Sequence, residues 1–380
     1  MGEKPKIAFV VGRATSGGGL YGRFRPQILL LSSYFEVHVV CLSDWNAGPL
    51  VAGVRGAIAH PASSWFPGRR GVPGEAGSML GQLMEQEGIG SVWAAGYYAG
   101  RACRDVRAGF KVLDFIDSNR LHLRSSALAA LARMDAAGAL LGLARCAALH
   151  NAHKNLAGRF NAVAYCCRRD GLASGFREDG FVILPTLVEP ARLKKSRKES
   201  DAVMLGDWSY WANISALDYA VDKVLPLLRR KISLAIVGRK AGNATKDAAS
   251  RAGKAGHEAI VSGWVDDLPA ALRRSRLMLA PLEFGGGVPT KVLDSLMSVI
   301  PVVTTAFVKE GVDPDGRCPA IIACNNAREM ADAVESLLAD KRLAESLGAG
   351  GRRFMEIRHE RAVAAHKELI ARILQAQRAL

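Results

Sequence analysis

The sequence predicts an α/β protein of two Rossmann-like, doubly wound domains that face each other across a cleft. Its 380 residues are enough for about two domains. Short apolar runs typical of buried parallel strands alternate with helical segments, and this alternation restarts after the charged stretch 194–201. We therefore predict an N-terminal domain over 1–193 and a C-terminal domain over 202–355. A helical tail follows over 356–380, with packing back on the N-terminal domain as one arrangement.

The N-terminal half opens with a βαβ pattern. A strand is predicted at 6–12, glycines stand at 17–19, and a helix over about 26–34 leads to a second strand at 37–42. Further strands and one long Ala/Leu-rich helix are predicted: strands at 91–95, 111–116, 162–166 and 181–184, and the helix at 125–149.

The C-terminal half repeats this rhythm. The predicted strands lie at 202–205, 234–237, 260–262, 277–280, 302–304 and 320–323, and the predicted helices at 214–229, 268–275, 290–297 and 327–340.

Composition narrows the classes of function. The net charge of +15 indicates an acidic partner, such as a sugar nucleotide, a phospholipid surface or a nucleic acid. No zinc-finger, RRM or KH signature accompanies this charge, so nucleic acid is not expected. The seven cysteines have no metal-ligand spacing, so we expect no metal site. The start of the sequence has no secretory pattern, and no run of about 18 apolar residues occurs, which predicts a cytoplasmic protein.

The most informative segment is 281–305, which reads PLEFGGGVPTKVLDSLMSVIPVVTT. A strand ends near Pro281, and three glycines then allow the backbone to approach a ligand closely. A helix begins near Thr290, so its free N–H groups and Lys291 form an anion site suited to a diphosphate. Asp294 lies about one turn further on, where its carboxylate could accept the ribose hydroxyls.

This segment resembles the donor-binding loop and helix of retaining GT-B glycosyltransferases, especially glycosyltransferase family 4. Three further segments resemble motifs of that family in the same order: Gly206 with DWSYWANISAL, IVGR at 236–239, and SGWVDD at 262–267. The resemblance covers about 202–355, whereas the first half matches in outline only. It implies a donor site, with no separate cofactor, formed by Gly18, Gly19, Gly206, Arg239, Lys240, Trp264, Val265, Gly285, Gly286, Gly287, Val288, Pro289, Thr290, Lys291 and Asp294.

The sequence also departs from the family pattern. Family members often carry two glutamates seven residues apart; here Asp294 holds the second position and Gly286 the first, with Glu283 three residues earlier. The segment 207–213 lacks the Arg and Lys that many members use for the diphosphate. The segment 114–117 stands where many members have a histidine. Asp117 and Glu283 are therefore the candidate catalytic carboxylates.

The resemblance implies transfer of a hexosyl group from a nucleoside diphosphate sugar to a hydroxyl acceptor, with retention and without a metal, in cell-surface glycan or polysaccharide synthesis. One alternative is a catalytically impaired homologue that serves as a nucleotide-sugar-binding partner or scaffold. Another keeps the fold and epimerises the sugar nucleotide, but no clear acid–base set for that chemistry is present. The Asp-Pro-Asp at 313–315 is interpreted as a turn. For Trp208 and Trp211, stacking on a base and packing under the loop remain open.

A basic, Ala/Leu-rich stretch at 122–159 bears on where the protein works. Such a segment is typical of a helix lying on an anionic membrane, although an ordinary packed helix with a solvated face has the same pattern. The acceptor is expected to be a glycan, a lipid-linked precursor or a protein. Peripheral attachment to the inner face of a membrane is the accompanying hypothesis.

Overall fold

A computed structural model describes residues 3–12, 19–42, 51–60, 73–132, 134–188, 193 and 196–379. The chain divides into two compact units. The N-terminal unit comprises Met1–Leu187 together with Arg361–Leu380, and the C-terminal unit comprises Val188–Glu360. The predicted boundaries were 193 and 356.

The N-terminal unit is built on a parallel sheet of seven strands among its described residues, in the order β3-β2-β1-β4-β5-β6-β7. The strands are β1 Lys6–Val11, β2 Glu36–Cys41, β3 Ala57–His60, β4 Ser91–Ala95, β5 Phe110–Asp114, β6 Ala162–Tyr165 and β7 Val182–Ile183. The helices between them are α1 Gly19–Ser32, α2 Pro73–Glu87, α3 Tyr97–Ala102, α4 Asn119–Ala132, α5 Ala136–Ala157 and α6 Arg168–Ala173.

The C-terminal unit contains a second parallel sheet, with the described order β10-β9-β8-β11-β12-β13. Its strands are β8 Ser200–Asp207, β9 Ser233–Arg239, β10 Glu258–Gly263, β11 Ser275–Ala280, β12 Val302–Thr305 and β13 Ile321–Cys324. Its helices are α7 Trp211–Tyr219, α8 Asn243–Lys254, α9 Leu268–Arg273, α10 Thr290–Met297, α11 Ala306–Val312 and α12 Ala327–Ala339. Helix α13, Lys341–Arg378, begins in this unit and ends in the N-terminal unit. Two parallel sheets flanked by helices confirm the predicted α/β class.

Strand β1 shows why both faces of the first sheet must be covered. Ile7, Phe9 and Val11 belong to one buried cluster, whereas Ala8 and Val10 belong to another. Side chains alternate between the faces of a strand, so a continuous apolar run requires packing on both sides.

The end of helix α13 packs on the N-terminal unit. Leu369, Ile370 and Ile373 are buried in the same cluster as Phe9. The Gln377 side chain donates hydrogen bonds to the Lys6 carbonyl oxygen (3.1 Å) and to Ser91 Oγ (2.8 Å). The tail therefore covers the sheet face on which α1 also packs.

Three predicted helices differ from the observed ones. The segment expected to be one helix at 125–149 is two helices, because Met134 has a positive φ of 61° and Asp135 caps α5 by accepting from the Gly138 N–H at 2.8 Å. The helix expected over 214–229 changes to a π turn at Ala220–Val224 and a 3-10 turn that contains Pro226, which has no N–H to donate. The first helix begins at Gly19, with Pro26 inside it.

Candidate functional site

Most of the predicted site residues follow the carboxyl ends of four strands in the C-terminal unit. Strand β8 is central: β9 and β10 lie on one side and β11 to β13 on the other. The direction of strand order reverses between β8 and β11, and ligands of doubly wound sheets bind outside the carboxyl ends at such a point. Gly206, Arg239 and the loop after Ala280 stand at these ends.

Two glycines allow β8 and β9 to end close together. Gly206 pairs with Gly238, and a Cβ atom on Gly238 would lie 1.8 Å from the Gly206 carbonyl oxygen. Trp208 lies just beyond, with only 5% of its surface exposed, and its Nε1–H donates to the Val237 carbonyl oxygen at 3.1 Å. Trp208 is thus packed under the loop, which settles the choice left open by the sequence in favour of packing.

Lys291 lies in the first turn of α10, after the helix N-cap at Pro289 and next to Thr290. Its Nζ donates to Asn213 Oδ1 at 2.6 Å. Burial lowers the Lys291 pKa to about 8. The positive end of the helix dipole and this ammonium group favour an anion at the same place.

Asn213 holds that lysine in place. The Asn213 side chain is 7% exposed, and its Nδ2 donates to the Asp207 carbonyl oxygen at 2.8 Å. A Cβ atom on Gly206 would lie 2.9 Å from the Asn213 side chain. The carboxamide therefore connects the end of β8 to the start of α10. Asn213 was not among the site residues predicted from the sequence, where its signal is an Asn shortly after the first glycine turn.

Asp294 lies three residues after Lys291 on α10 and is half-buried. Burial raises its pKa to about 7. Its carboxylate makes no hydrogen bond or ion pair with any other residue that the structure describes. A desolvated carboxyl group without a partner is costly, and a pair of hydroxyl groups would satisfy it.

The glycine loop before α10 combines two unusual backbone conformations with apolar support. Gly285 has φ of 134° and Gly287 φ of 72°, both in the region that favours glycine. Gly286 is half-buried between them, and Val288 is 8% exposed. The preceding Phe284 contacts Trp211, with ring centroids 5.6 Å apart. Trp211 thus supports the loop.

Two basic residues follow β9, and each has a polar partner. Arg239 Nη2 lies 3.2 Å from Asp207 Oδ2, and its guanidinium stands 6.0 Å from the centre of the Trp264 ring. Burial opposes ionisation of Asp207, but hydrogen bonds from Ser209 and Arg239 outweigh it and hold the Asp207 pKa below its ordinary value. Lys240, exposed and at φ of 54°, donates to Ser209 Oγ at 3.3 Å. Part of the positive charge expected for the diphosphate is therefore already paired.

Three other predicted residues lie at the margin of this edge. Trp264 is 54% exposed, and its Nε1–H donates to Asp266 Oδ1 at 3.1 Å. The adjacent Val265 is half-buried. Glu283 is exposed. Burial of Tyr219 raises the Tyr219 pKa, and the negative charge of Glu283 raises it further. Trp264 leaves a flat aromatic face available beside Arg239.

In the N-terminal unit, the predicted carboxylate Asp117 is paired with a histidine. Asp117 Oδ2 lies 3.0 Å from His122 Nε2. Burial opposes protonation of His122, but the hydrogen bond and charge of Asp117 outweigh it and raise the His122 pKa. Gly19 is the first residue of α1, whereas Gly18 lies outside the described residues.

A buried ion pair near Asp117 was not predicted. Arg23 Nη2 lies 3.2 Å from both Asp114 oxygens, and Arg23 Nη1 donates to Thr186 Oγ1 at 2.8 Å. Gln27 Nε2 donates to Asp114 Oδ2 at 3.1 Å. The buried carboxylate of the segment 114–117 is therefore Asp114, at the end of β5, and Arg23 and Gln27 already bind it.

The Asp-Pro-Asp segment at 313–315 begins a turn. The Asp313 carboxylate accepts from the backbone N–H groups of Arg317 (2.8 Å) and Cys318 (2.9 Å), as expected for a turn. No group of three or more His, Cys, Asp or Glu side chains among the described residues is arranged to hold a metal ion. Within the same residues, no helix is both long and apolar enough to cross a membrane.

The C-terminal unit matches a known protein family. Residues 199–340 match the family model described as "Glycosyl transferases group 1". No curated protein matches the sequence.

Solved glycosyltransferases share the fold. HepE from Anabaena, solved in complex with UDP-glucose, matches with a TM-score of 0.69 at 14% identity, over 99% of this chain and 100% of that chain. Sucrose-phosphate synthase from Thermosynechococcus elongatus matches with a TM-score of 0.69 at 12% identity, over 98% of this chain and 100% of that chain. A glycosyltransferase from Rickettsia africae ESF-5 matches with a TM-score of 0.65 at 14% identity, over 98% of this chain and 99% of that chain. The chain therefore has the GT-B fold of these glycosyltransferases, and over residues 199–340 it carries the pattern of the glycosyl transferases group 1 family.

Proposed function

We propose that this protein is a glycosyltransferase that moves a hexosyl group from a nucleoside diphosphate sugar to a hydroxyl acceptor. The observation that carries the proposal is the start of α10, where the half-buried ammonium group of Lys291 and a carboxyl group without a protein partner lie about one turn apart. Lys291 and the helix N-terminus would bind the diphosphate. Asp294 would accept hydrogen bonds from the ribose hydroxyls.

Leaving-group stabilisation would supply most of the rate acceleration. As the bond between the sugar C1 and the phosphate oxygen breaks, its electron pair remains on the diphosphate. Lys291 and the free N–H groups at the α10 N-terminus would stabilise this growing charge in a partly desolvated place. Lys240 lies at the end of the adjacent strand and would add a second cation, whereas Arg239 is shared with Asp207.

The base and the sugar would occupy the margins of the same edge. Trp264, exposed beside Arg239, offers its ring to a nucleobase. Glu283, which precedes the glycine loop, and Asp117 in the N-terminal unit are the proposed catalytic carboxylates. Retention of the anomeric configuration and independence from metal ions follow from the family resemblance and belong to the same proposal.

The acceptor is proposed to be a growing glycan or a lipid-linked precursor in cell-surface polysaccharide synthesis. Peripheral attachment at the inner face of a membrane would bring the enzyme to such an acceptor. The net charge of +15 supports an anionic surface as the place of attachment.

A thermal-shift screen against sugar nucleotides with different bases tests the donor class. A ligand that binds only the folded state at 100 times its Kd stabilises it by about 2.7 kcal/mol, which raises Tm by several degrees. We expect one base class to raise Tm in the wild type and to raise it less in Lys291→Ala. Absence of a shift with every sugar nucleotide at millimolar concentration would refute the proposal.

A second candidate function is a nucleotide-sugar-binding partner that has lost turnover. Two observations favour it: Gly286 stands where the resemblance implies a glutamate, and Arg239 is paired with Asp207. Donor binding without release of free nucleoside diphosphate, in the presence of a panel of glycan acceptors, would select this candidate over the enzyme.

A further inference from the structure

The hairpin formed by α4 and α5 exposes large apolar side chains at its tip. Met134, in the turn, is 93% exposed. Leucines on both helices next to the turn are between 49% and 71% exposed: Leu128, Leu131, Leu140, Leu141 and Leu143. We call these six residues the hairpin tip. A contiguous set of exposed large apolar side chains marks an interaction surface.

Near the turn, the two helices pack on each other through small residues. Ala127, Ala130 and Ala139 are buried. A Cβ atom on Gly142 would lie 2.9 Å from the Ala127 Cβ atom, so the helices cross closely at this point. A helical hairpin in water normally turns its largest apolar side chains inward. The tip has the opposite arrangement, which suits an apolar surrounding.

The charged side chains one turn behind the tip are basic. Between residues 119 and 157 the sequence has a single carboxylate, Asp135, and it is used to cap α5. Arg124 lies one turn before Leu128, and Arg145 lies one turn after Leu141. Both arginines are exposed, and neither makes an ion pair with any residue in the described ranges.

The dimensions match shallow insertion. Leu128 lies six residues from Met134, and Leu143 lies seven residues into α5, so the apolar part extends about 10 Å along the hairpin at about 1.5 Å per residue. Interfacial helices bury their apolar face by about 5–10 Å, and arginines one turn behind would reach lipid phosphates. A protein partner that fits this surface would need an apolar hollow ringed by carboxylates. An anionic bilayer offers an apolar interior beneath negatively charged headgroups at every point of its surface.

We propose that the hairpin tip is a membrane-docking wedge for an anionic bilayer, which places the N-terminal unit on the lipid surface. The inference deepens the peripheral attachment proposed above, but it does not depend on donor binding. The six tip side chains enter the acyl boundary, while Arg124 and Arg145 bind headgroup phosphates. Attachment is therefore reversible and requires both apolar and basic contacts.

Co-sedimentation of the whole chain with vesicles tests the wedge. The vesicles are phosphatidylcholine alone, or with about one-third phosphatidylglycerol. The tip variant carries Leu131→Gln, Met134→Gln and Leu140→Gln. At low salt we expect the wild type to bind the anionic vesicles and the tip variant to bind about tenfold more weakly. An Arg124→Gln, Arg145→Gln variant should lose the preference for anionic over neutral vesicles.

A matched control replaces three comparably exposed apolar residues elsewhere, and it should bind the vesicles as the wild type does: Ile58→Gln, Leu343→Gln and Ile357→Gln. Unchanged Tm of the tip variant excludes unfolding as the cause. The wedge proposal would be overturned if the wild type does not bind anionic vesicles at low salt, or if the tip variant binds them as well as the wild type does. It would also be overturned by a wild-type dimer that becomes a monomer in the tip variant without any difference in vesicle binding. Loss of donor binding in the screen above would refute the proposed function and leave the vesicle result unaffected.

Discussion

Lys291 Nζ donates to Asn213 Oδ1 at 2.6 Å, which joins the first turn of α10 to the segment that follows β8. Asn213 is neutral, so it orients the ammonium group without cancelling its charge. Arg239, by contrast, is paired with the Asp207 carboxylate. Lys291 is thus held in position by a neutral partner and keeps its charge for an anionic ligand.

Replacement of Asp294 by Asn should weaken nucleotide binding without harming the fold. Burial raises the Asp294 pKa from 3.8 to about 7, so the folded chain binds a proton that the unfolded chain releases at lower pH. The contribution of this proton to the free energy of unfolding is fully present below pH 3.8 and is lost as pH rises to about 7. Asn resembles the protonated form, so the variant should have a Tm at pH 8 no lower than that of the wild type. A collapsed Tm with normal nucleotide affinity in the remaining folded protein would show that Asp294 is structural.

Donor affinity should depend on the charge of Lys291 in the alkaline range. Burial places the Lys291 pKa at about 8 in the ligand-free protein, and the ammonium form is lost above that value. Affinity for a nucleotide sugar should then fall with a limiting slope of about tenfold per pH unit above pH 8. Lys291→Arg keeps its charge and should show a flat profile between pH 7 and pH 9. Parallel profiles for both proteins, measured by calorimetry, would contradict the assignment.

Sugar transfer should not require a metal ion. The described residues contain no cluster suited to one, and Asp313 is already used by backbone N–H groups of its turn. We expect full activity after EDTA treatment, measured as release of nucleoside diphosphate. Activity that disappears with EDTA and returns with magnesium or manganese would contradict this prediction.

Loss of the Asp114 carboxylate should destabilise the N-terminal unit. Arg23 and Asp114 are 3% and 0% exposed, so Asp114→Ala leaves a buried guanidinium without its counter-charge. Such changes cost about 3–5 kcal/mol. The free energy of unfolding, measured with urea, should fall accordingly. As the matched control, Asp105→Ala removes the exposed partner of Arg104 and should leave stability unchanged. Equal decreases in the free energy of unfolding for the two substitutions would show that the buried ion pair contributes no more to stability than the exposed one.

The sequence predicted those parts of the fold and site that depend on local pattern. Apolar runs located the strands of both sheets, and the glycines followed by Thr290 and Lys291 indicated the start of α10. The edge strand β3 was missed because its apolar run, Ala57 to Ala59, is only three residues long. The break between α4 and α5 could have been found from Asp135, a favoured N-cap residue three positions before Gly138.

The polar contacts of the site could not be predicted because they join distant segments. Asn213 and Lys291 are 78 residues apart, and Asp207 and Arg239 are 32 apart. Which loops become neighbours is set by strand order, and the central position of β8 brings these four residues to one edge. The buried Arg23–Asp114 pair, 91 residues apart, depends in the same way on β1 and β4 preceding β5 in the sheet.

The proposed function requires that a nucleoside diphosphate sugar binds at the start of α10. Its most direct test is a calorimetric titration of the wild type and Lys291→Ala with the sugar nucleotide that gives the largest thermal shift, at pH 7. We expect the substitution to weaken binding by about 1–3 kcal/mol, the range of a charge-assisted hydrogen bond, with Tm unchanged. Equal affinity of the two proteins for the nucleotide sugar would contradict it and remove α10 from the donor site.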